Sequence, residues 1–170
     1  MIFLGNYADC IKQEWIEEVL KRDGDAYPRE HRPESAEMAA QWAAAESRGY
    51  DRNAKYHSRH DDWNTSFSFR PPWIAENEVC DWWIVKMYPG ELFPMHVDSG
   101  AVYHKTDSKR YWMPLMDYEP GHIFMYEKEV YTDYKKGDVY QFENKSALHG
   151  SVNIGFTARI ALQATSFLPD

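Results

Sequence analysis

Two His-x-Asp pairs are the first candidates for chemistry in this sequence. His96 and Asp98 lie in MYPGELFPMHVDSG, and His60 and Asp62 lie in RHDDWN. Side chains two positions apart on an extended segment point to the same side, so either pair could offer an imidazole and a carboxylate to one metal ion. Random placement of the His and Asp residues of this chain predicts roughly one half of such a pair on average, so the spacing alone does not identify a site.

The surroundings of the two pairs differ. The first pair follows an apolar run and the turn signal Pro89-Gly90, whereas the second lies in the polar stretch DRNAKYHSRHDD. A polar stretch without strand or turn signals is typical of a solvated loop. The sequence therefore favours His96 and Asp98 as metal ligands and assigns the second pair to the surface.

A third ligand is needed, and His149 is the best candidate because predicted strands surround it. Two imidazoles and one carboxylate on one face suit non-haem Fe(II) with open coordination positions. Arg159 follows ten residues after His149. A guanidinium inside a β-structure is costly unless it meets an anion, and its planar fork matches a carboxylate.

The elements that would position these residues are mostly strands. Short runs rich in aromatic and β-branched residues, separated by turn signals, predict strands. The predicted strands span residues 63–69, 81–88, 110–116, 122–126, 129–134, 138–142 and 159–167. Apolar residues at helical spacing predict helices over residues 6–22 and about 33–47. No βαβ alternation occurs, so a β-sandwich or jelly roll with helices packed on it is expected.

Composition limits the classes of partner. The 170 residues predict one domain, in which residues 1–62 form a mostly helical support and loop and residues 63–170 form the jelly-roll core. The net charge is −8 and no long Lys/Arg run occurs, so nucleic acid is not an expected partner. Two cysteines, no signal-peptide pattern and no long apolar stretch predict a soluble, cytoplasmic protein without a membrane span.

Together these residues resemble the Fe(II)/2-oxoglutarate-dependent oxygenases over about residues 82–167. YPGELFPMHVDS resembles the prolyl-hydroxylase type, in which a tyrosine eight residues before the first histidine lines the oxoglutarate pocket. RYWMPL and HGSVNIGFTARIAL resemble the aspartyl/asparaginyl β-hydroxylase type. The ordered set that carries the resemblance is Tyr88, Gly90, His96, Asp98, Gly137-Asp138, His149, Asn153 and Arg159.

The resemblance implies a double-stranded β-helix, a cupin-like jelly roll, with Fe(II) held by His96, Asp98 and His149. It implies 2-oxoglutarate and O2 as co-substrates, with Arg159 and Tyr88 holding the distal carboxylate. Three further residues are candidates for contacts with the co-substrate. Asn153 occupies the matching position of the motif, and Thr165 has a hydroxyl on the same strand face as Arg159. Arg110 would point to the interior if its face of the predicted strand does. It is equally possible from the sequence that Arg110 forms a salt bridge at the rim of the β-structure.

The implied reaction is hydroxylation of an organic substrate, most simply an amino-acid side chain in a peptide or a free amino acid. Because Asp98 occupies a ligand position, halogenation is disfavoured. The sequence departs from the β-hydroxylase pattern at Arg110-Tyr111-Trp112, where Arg-x-His would stand. Two other readings are a non-catalytic jelly-roll binding module and a cupin-type metal dioxygenase that uses no oxoglutarate. His104 and His122 receive no assignment.

Overall fold

The computed structural model describes residues 1–21, 69–98, 107–144 and 146–169, together with residue 43. Apart from residue 43, which is itself helical, these parts of the chain contain nine strands, one α-helix and a 3-10 helix at Ala8–Cys10. The strands are β1 (Ile2–Asn6), β2 (Val79–Met87), β3 (Leu92–His96), β4 (Lys109–Pro114), β5 (His122–Tyr126), β6 (Glu129–Tyr131), β7 (Asp138–Gln141), β8 (His149–Asn153) and β9 (Arg159–Phe167), and the helix is α1 (Gln13–Lys21).

The strands form two antiparallel sheets. The larger sheet has the order β1-β7-β4-β9-β2, and the smaller sheet has the order β3-β8-β5-β6. From β2 onward the chain passes back and forth between the sheets, apart from the β5–β6 hairpin, and this order is that of a double-stranded β-helix. The predicted fold class is therefore confirmed.

Alternation along the strands gives the larger sheet two different faces. On the outer face, Ile16 and Val19 of α1 pack in a buried cluster with residues such as Trp82 and Leu162. On the inner face, residues of both sheets form a second cluster, which includes Trp112, Phe124, Tyr126, Phe142 and Ala161. Arg159 belongs to the inner face, because it is two residues from Ala161 on β9. The candidate site lies within this interior.

The beginning of the chain differs from the sequence prediction. A helix was expected over residues 6–22, but residues 2–6 form β1, which pairs with β7, and α1 begins only at Gln13. Asn6 ends the strand, since its Nδ2 donates to Oδ1 of Asp138 at 2.8 Å and its Oδ1 accepts from the Ala8 backbone N–H. The amino-terminal segment therefore extends the larger sheet as well as supplying a helix.

Two predicted features lie outside the described residues: the His60–Asp62 pair and residues 63–68 of the first predicted strand. Of the helix predicted at about 33–47, only residue 43 is described, and it is helical. Within the described part of the chain, no helix is both long and apolar enough to cross a membrane.

Candidate active site

The pairing of β3 with β8 brings two histidines together. His96 and His149 are direct partners in the antiparallel register, and their ring centroids lie 4.4 Å apart. The register is irregular between Phe93 and His96, where the two backbones approach closely. A Cβ on residue 150 would lie 2.9 Å from the Phe93 carbonyl oxygen, so Gly150 permits this approach beside His149.

Asp98 follows β3 by two residues and turns its carboxylate between the two rings. Its Oδ1 lies 3.3 Å from Nε2 of His96, and its Oδ2 lies 3.2 Å from Nε2 of His149. One potential ligand atom from each residue lies within 4.8 Å of the others. The structure thus brings together the three residues that the sequence proposes as ligands.

Backbone contacts set the tautomer of both imidazoles. Nδ1 of His96 lies 2.8 Å from the Pro94 carbonyl oxygen, and Nδ1 of His149 lies 3.0 Å from the Ala147 carbonyl oxygen. A carbonyl only accepts, so Nδ1 carries the hydrogen and Nε2 presents its lone pair to the centre. Burial lowers the pKa of His96 to about 4 and holds the pKa of His149 well below its ordinary value. Both rings are therefore neutral at physiological pH, as metal ligation requires.

These residues fit a divalent metal ion. Nε2 of His149 is buried and has no hydrogen-bond partner within the described residues, although it faces a carboxylate. A cation between the three groups would satisfy that lone pair and the charge of Asp98. His96 and Asp98 keep 19% and 16% of their side-chain surface exposed, so the site can be reached from solvent.

Arg110 lies beside this cluster. Its guanidinium contacts Oδ2 of Asp98 and donates to Oε1 of Gln163. It also lies over two aromatic rings, 5.5 Å from the centroid of Trp83 and 5.3 Å from that of Phe142. Burial lowers the pKa of Arg110 to about 9, so it remains a cation at neutral pH. The structure therefore places this arginine inside the barrel and against a candidate ligand, and not at an exposed rim.

Arg159 lies elsewhere in the same interior, at the start of β9. It is 2% exposed, and its Nη1 lies 3.4 Å from Sδ of Met87. Its guanidinium carbon lies 5.7 Å and 5.9 Å from the ring centroids of Trp112 and Phe124. Nε and Nη2 have no hydrogen-bond partner among the described residues, and no described carboxylate forms an ion pair with it. Burial lowers the pKa of Arg159, and the interaction with Tyr134 opposes this effect only in part.

Thr165 does not lie with Arg159. It pairs with Arg110 in the register of β4 and β9, six residues from Arg159. Six residues of strand span about 20 Å, so the two side chains lie near opposite ends of β9 although they share its inner face. The expectation that Thr165 adds a hydroxyl beside Arg159 is not supported by this placement. Its buried hydroxyl, which has no hydrogen-bond partner in the described residues, lies at the end of β9 where Arg110 lies.

Tyr88 faces away from Arg159. Its ring centroid lies 4.9 Å from Nζ of Lys86, which donates a 2.7 Å hydrogen bond to the Val19 carbonyl at the end of α1. Lys86 lies on the outer face of the larger sheet, because it pairs with Ile160 of the outer cluster. The expected contact of Tyr88 with the oxoglutarate carboxylate is therefore not supported by its position.

Asn153 is occupied by backbone contacts. Its Nδ2 donates to the carbonyls of Met87 and Thr157 at 3.0 and 2.8 Å, and its Oδ1 accepts from the Gly155 N–H. Its own backbone bonds to residues 90 and 91. The amide thus joins the β8–β9 turn to the end of β2, and this placement favours a positioning role over a direct contact with a co-substrate.

Sequence reasoning left several residues of this interior unassigned. Gln163 shares the inner parity of Arg159 and binds Arg110, and Phe142 packs its ring 5.1 Å from that of His149. The period-two alternation of β9 was the signal available for Gln163. His122 and Tyr134 lie near Arg159 but come from another strand and from a loop, so no local spacing identified them.

No family model matches the sequence, and no curated protein is significantly similar to it. Structural similarity is found to a protein of Thermus thermophilus, with 15% identity and a TM-score of 0.42, covering 72% of this chain and 94% of that one. A double-stranded β-helix protein of Klebsiella pneumoniae gives 16% identity and a TM-score of 0.38, covering 55% and 71%. A predicted oxalate decarboxylase of Thermotoga maritima gives 20% identity and a TM-score of 0.37, covering 52% and 65%. Likeness at these identities and scores does not indicate an activity.

Proposed function

We propose that this chain is a non-haem Fe(II)- and 2-oxoglutarate-dependent dioxygenase that hydroxylates an organic substrate. His96, Asp98 and His149 would hold the metal ion, and Arg159 would hold the distal carboxylate of 2-oxoglutarate. Bound Fe(II) would supply the redox chemistry by which O2 converts 2-oxoglutarate to succinate and CO2 while one oxygen atom enters a C–H bond of the substrate.

Arg159 is the observation that carries this proposal. A metal-binding jelly roll without oxoglutarate has no need of a second cation deep in its interior. A fully buried guanidinium with two nitrogens unpartnered among the described residues requires an anionic ligand to offset its desolvation. A carboxylate offers two acceptor oxygens that match the guanidinium fork. The same interior contains the candidate metal centre, so one molecule carrying two anionic ends could contact both.

The residues around Arg110 favour an amino-acid side chain, in a peptide or in a free amino acid, as the substrate. Its cation, the Trp83 ring and the buried hydroxyl of Thr165 lie on the side of the interior away from Arg159. Such a wall suits a substrate with an apolar part and a hydrogen-bonding or anionic group. The net charge of −8 would in addition favour approach of a cationic peptide.

Anaerobic titration with Fe(II) and then 2-oxoglutarate tests the proposal. Chelation of Fe(II) by the keto acid is expected to give a metal-to-ligand charge-transfer band in the wild type. His149→Ala should remove it, whereas Leu148→Ala, at an exposed neighbouring position, should retain it. Iron binding without a band would instead favour the cupin-type, oxoglutarate-independent dioxygenase, and absence of iron binding would favour the non-catalytic module.

A further inference from the structure

His122 lies in the interior near Arg159 and is used by none of the roles described so far. It is 0% exposed and lies on β5 with the parity of Phe124 and Tyr126, which face the inner cluster. Its neighbours place it in the same part of the interior as Arg159, whose charge acts on the ring and on Tyr134. Tyr134 donates its hydroxyl to the His122 carbonyl at 3.1 Å, His122 pairs with Asn153, and Asn153 binds the carbonyl of Met87, the direct strand partner of Arg159.

The His122 ring has a fixed tautomer and a fixed direction. Its Nε2 lies 3.0 Å from the Thr157 carbonyl oxygen and 3.2 Å from the Thr157 hydroxyl, so Nε2 carries the hydrogen and donates it to the β8–β9 turn. The adjacent Cδ2 also faces that turn, because it would lie 3.3 Å from a Cβ on residue 155. Nδ1 is the ring atom opposite the Nε2–Cδ2 bond, and it therefore points away from the turn toward the interior.

Nδ1 is buried and has no hydrogen-bond partner in the described part of the chain. In the tautomer fixed by Thr157 it is an acceptor. The charge of Arg159 acts on this ring, so a carboxylate bound at Arg159, which also offers only acceptors, would act on it as well. Two acceptors can share a hydrogen bond only if one of them gains a proton. Imidazole is the group that gains a proton most readily near neutral pH.

We propose that Nδ1 of His122 takes up a proton when a dicarboxylate binds at Arg159, so that anion binding and protonation of His122 are thermodynamically coupled. The choice of dicarboxylate rests on the proposed function. The proton comes from solvent, converts the neutral ring to imidazolium, and places a second donor beside Arg159 for the carboxylate. The site would thus present one positive charge when empty and two when the dianion is bound.

The charges that face His122 determine the pH range of this coupling. Burial lowers the pKa of His122; the hydrogen bond to the Thr157 carbonyl and the charge of Glu119 partly oppose this effect; and the charge of Arg159 lowers the pKa further. Tyr134 on the neighbouring loop is uncharged at neutral pH, because burial raises the pKa of its phenol. The ring is therefore neutral in the free protein at physiological pH, and a bound carboxylate would raise its pKa.

Linkage fixes the sign of the effect on affinity. The bound state holds one more proton, so the dissociation constant for the dicarboxylate should rise with pH between the pKa values of His122 in the free and bound protein, by up to about tenfold per pH unit. Below the lower pKa and above the higher one the dissociation constant should be independent of pH.

Isothermal titration calorimetry of the full chain with 2-oxoglutarate tests this coupling. Titrations in two buffers of different ionisation enthalpy, at one pH, measure the protons taken up, and titrations across pH measure the change in the dissociation constant. Both are done on anaerobic Fe(II)-loaded protein and on metal-free protein. The wild type should take up as much as one proton within the sensitive range. Heats that do not depend on the buffer at any pH from about 6 to 9 would overturn the proposal.

Two variants isolate the residue responsible. His122→Gln keeps a side-chain N–H for the Thr157 carbonyl but lacks Nδ1, and it should bind 2-oxoglutarate without proton uptake. Glu119→Gln keeps an acceptor for the Thr157 hydroxyl, removes the charge that raises the pKa of His122, and should move the pH-sensitive range to lower pH. Proton uptake that persists in His122→Gln, or a range unmoved in Glu119→Gln, would contradict the proposal. If His122→Gln does not fold, the displacement of the pH-sensitive range in Glu119→Gln tests the proposal by itself.

Different outcomes of these titrations overturn the His122 coupling and the proposed function. Proton-coupled binding of 2-oxoglutarate without a charge-transfer band would support the His122 coupling and overturn the oxygenase assignment. A charge-transfer band with no proton uptake would support the oxygenase assignment and overturn the His122 coupling. No binding of 2-oxoglutarate to either form of the protein would overturn both.

Discussion

Nε2 of His149 and Oδ2 of Asp98 face each other at 3.2 Å in the protein interior, with Nδ1 of His149 fixed on the Ala147 carbonyl. The imidazole nitrogen at this contact is unprotonated, so the pair gains no hydrogen bond from its proximity. Arg110 contacts Oδ2 of Asp98 but gives Nε2 of His149 no donor, whereas a divalent cation would bind both groups.

Metal binding should therefore stabilise the fold. Fe(II) under anaerobic conditions, at about 100 times its dissociation constant, is expected to raise the free energy of unfolding by about 2.7 kcal/mol. Denaturant titrations with and without metal measure the change. His149→Ala should lose this gain and Leu148→Ala should keep it, since Leu148 is 44% exposed and offers no ligand atom. Equal stabilisation of the wild type and His149→Ala would exclude His149 as a ligand.

Arg159→Met tests the proposed anion contact. The substitution removes charge-assisted hydrogen bonds and should weaken 2-oxoglutarate binding by about 1.5–3 kcal/mol, while iron affinity changes much less. Calorimetry or titration of the charge-transfer band provides the two affinities. Arg70→Met is the matched control, because Arg70 donates to the backbone carbonyls of Ala75 and Glu78 outside the interior. An equal loss in both variants would indicate general destabilisation instead.

The strands could be predicted from the sequence wherever alternation and turn signals coincide. Residues 122–126 and 159–167 have the predicted bounds, and the predicted strands at 81–88, 110–116, 129–134 and 138–142 agree with observed strands to within a few residues. β1, β3 and β8 were missed: each has only five residues, too few to show clear periodicity, and each is stabilised by pairing with a strand far along the chain. Asn6 is also a plausible helix cap, which favoured the wrong element there.

The candidate ligands could be identified because they require only residue type, order and strand parity. Contacts of side chains that leave the strand ends could not be identified. Tyr88 follows β2 directly, and no pattern indicates that its ring turns to Lys86 on the outer face. The amide of Asn153 meets three backbone groups that come from different segments, and this arrangement depends on tertiary packing.

Asn153→Asp distinguishes a positioning role from a co-substrate contact. A carboxylate cannot donate to the Met87 and Thr157 carbonyls, so buried acceptors would lose their donor at a cost of about 1–3 kcal/mol each in the free energy of unfolding. Denaturant unfolding measures this loss. Affinity for 2-oxoglutarate, measured where the variant is fully folded, should fall much less than it does in Arg159→Met. A loss as large as that in Arg159→Met, with unchanged stability, would instead indicate a direct contact.

Ser166→Ala should destabilise the outer face of the larger sheet in a manner that depends on pH. The Ser166 hydroxyl donates at 2.6 Å to Oε2 of the buried Glu78, whose other oxygen contacts Lys109. Burial alone would raise the pKa of Glu78, but the hydrogen bonds from Lys109 and Ser166 outweigh it and lower the pKa. A carboxyl with a lowered pKa in the folded state contributes stability above its unfolded pKa, and this stability is lost as the pH falls through the folded value.

The Ser166→Ala substitution should therefore lower the free energy of unfolding by about 1.5–3 kcal/mol at pH 7 and by less at about pH 3. Urea unfolding at both pH values measures the difference, with the exposed Ser146→Ala as the control that should show no pH-dependent change. A cost that stays the same at both pH values would mean that the charge of Glu78 plays no part in this hydrogen bond.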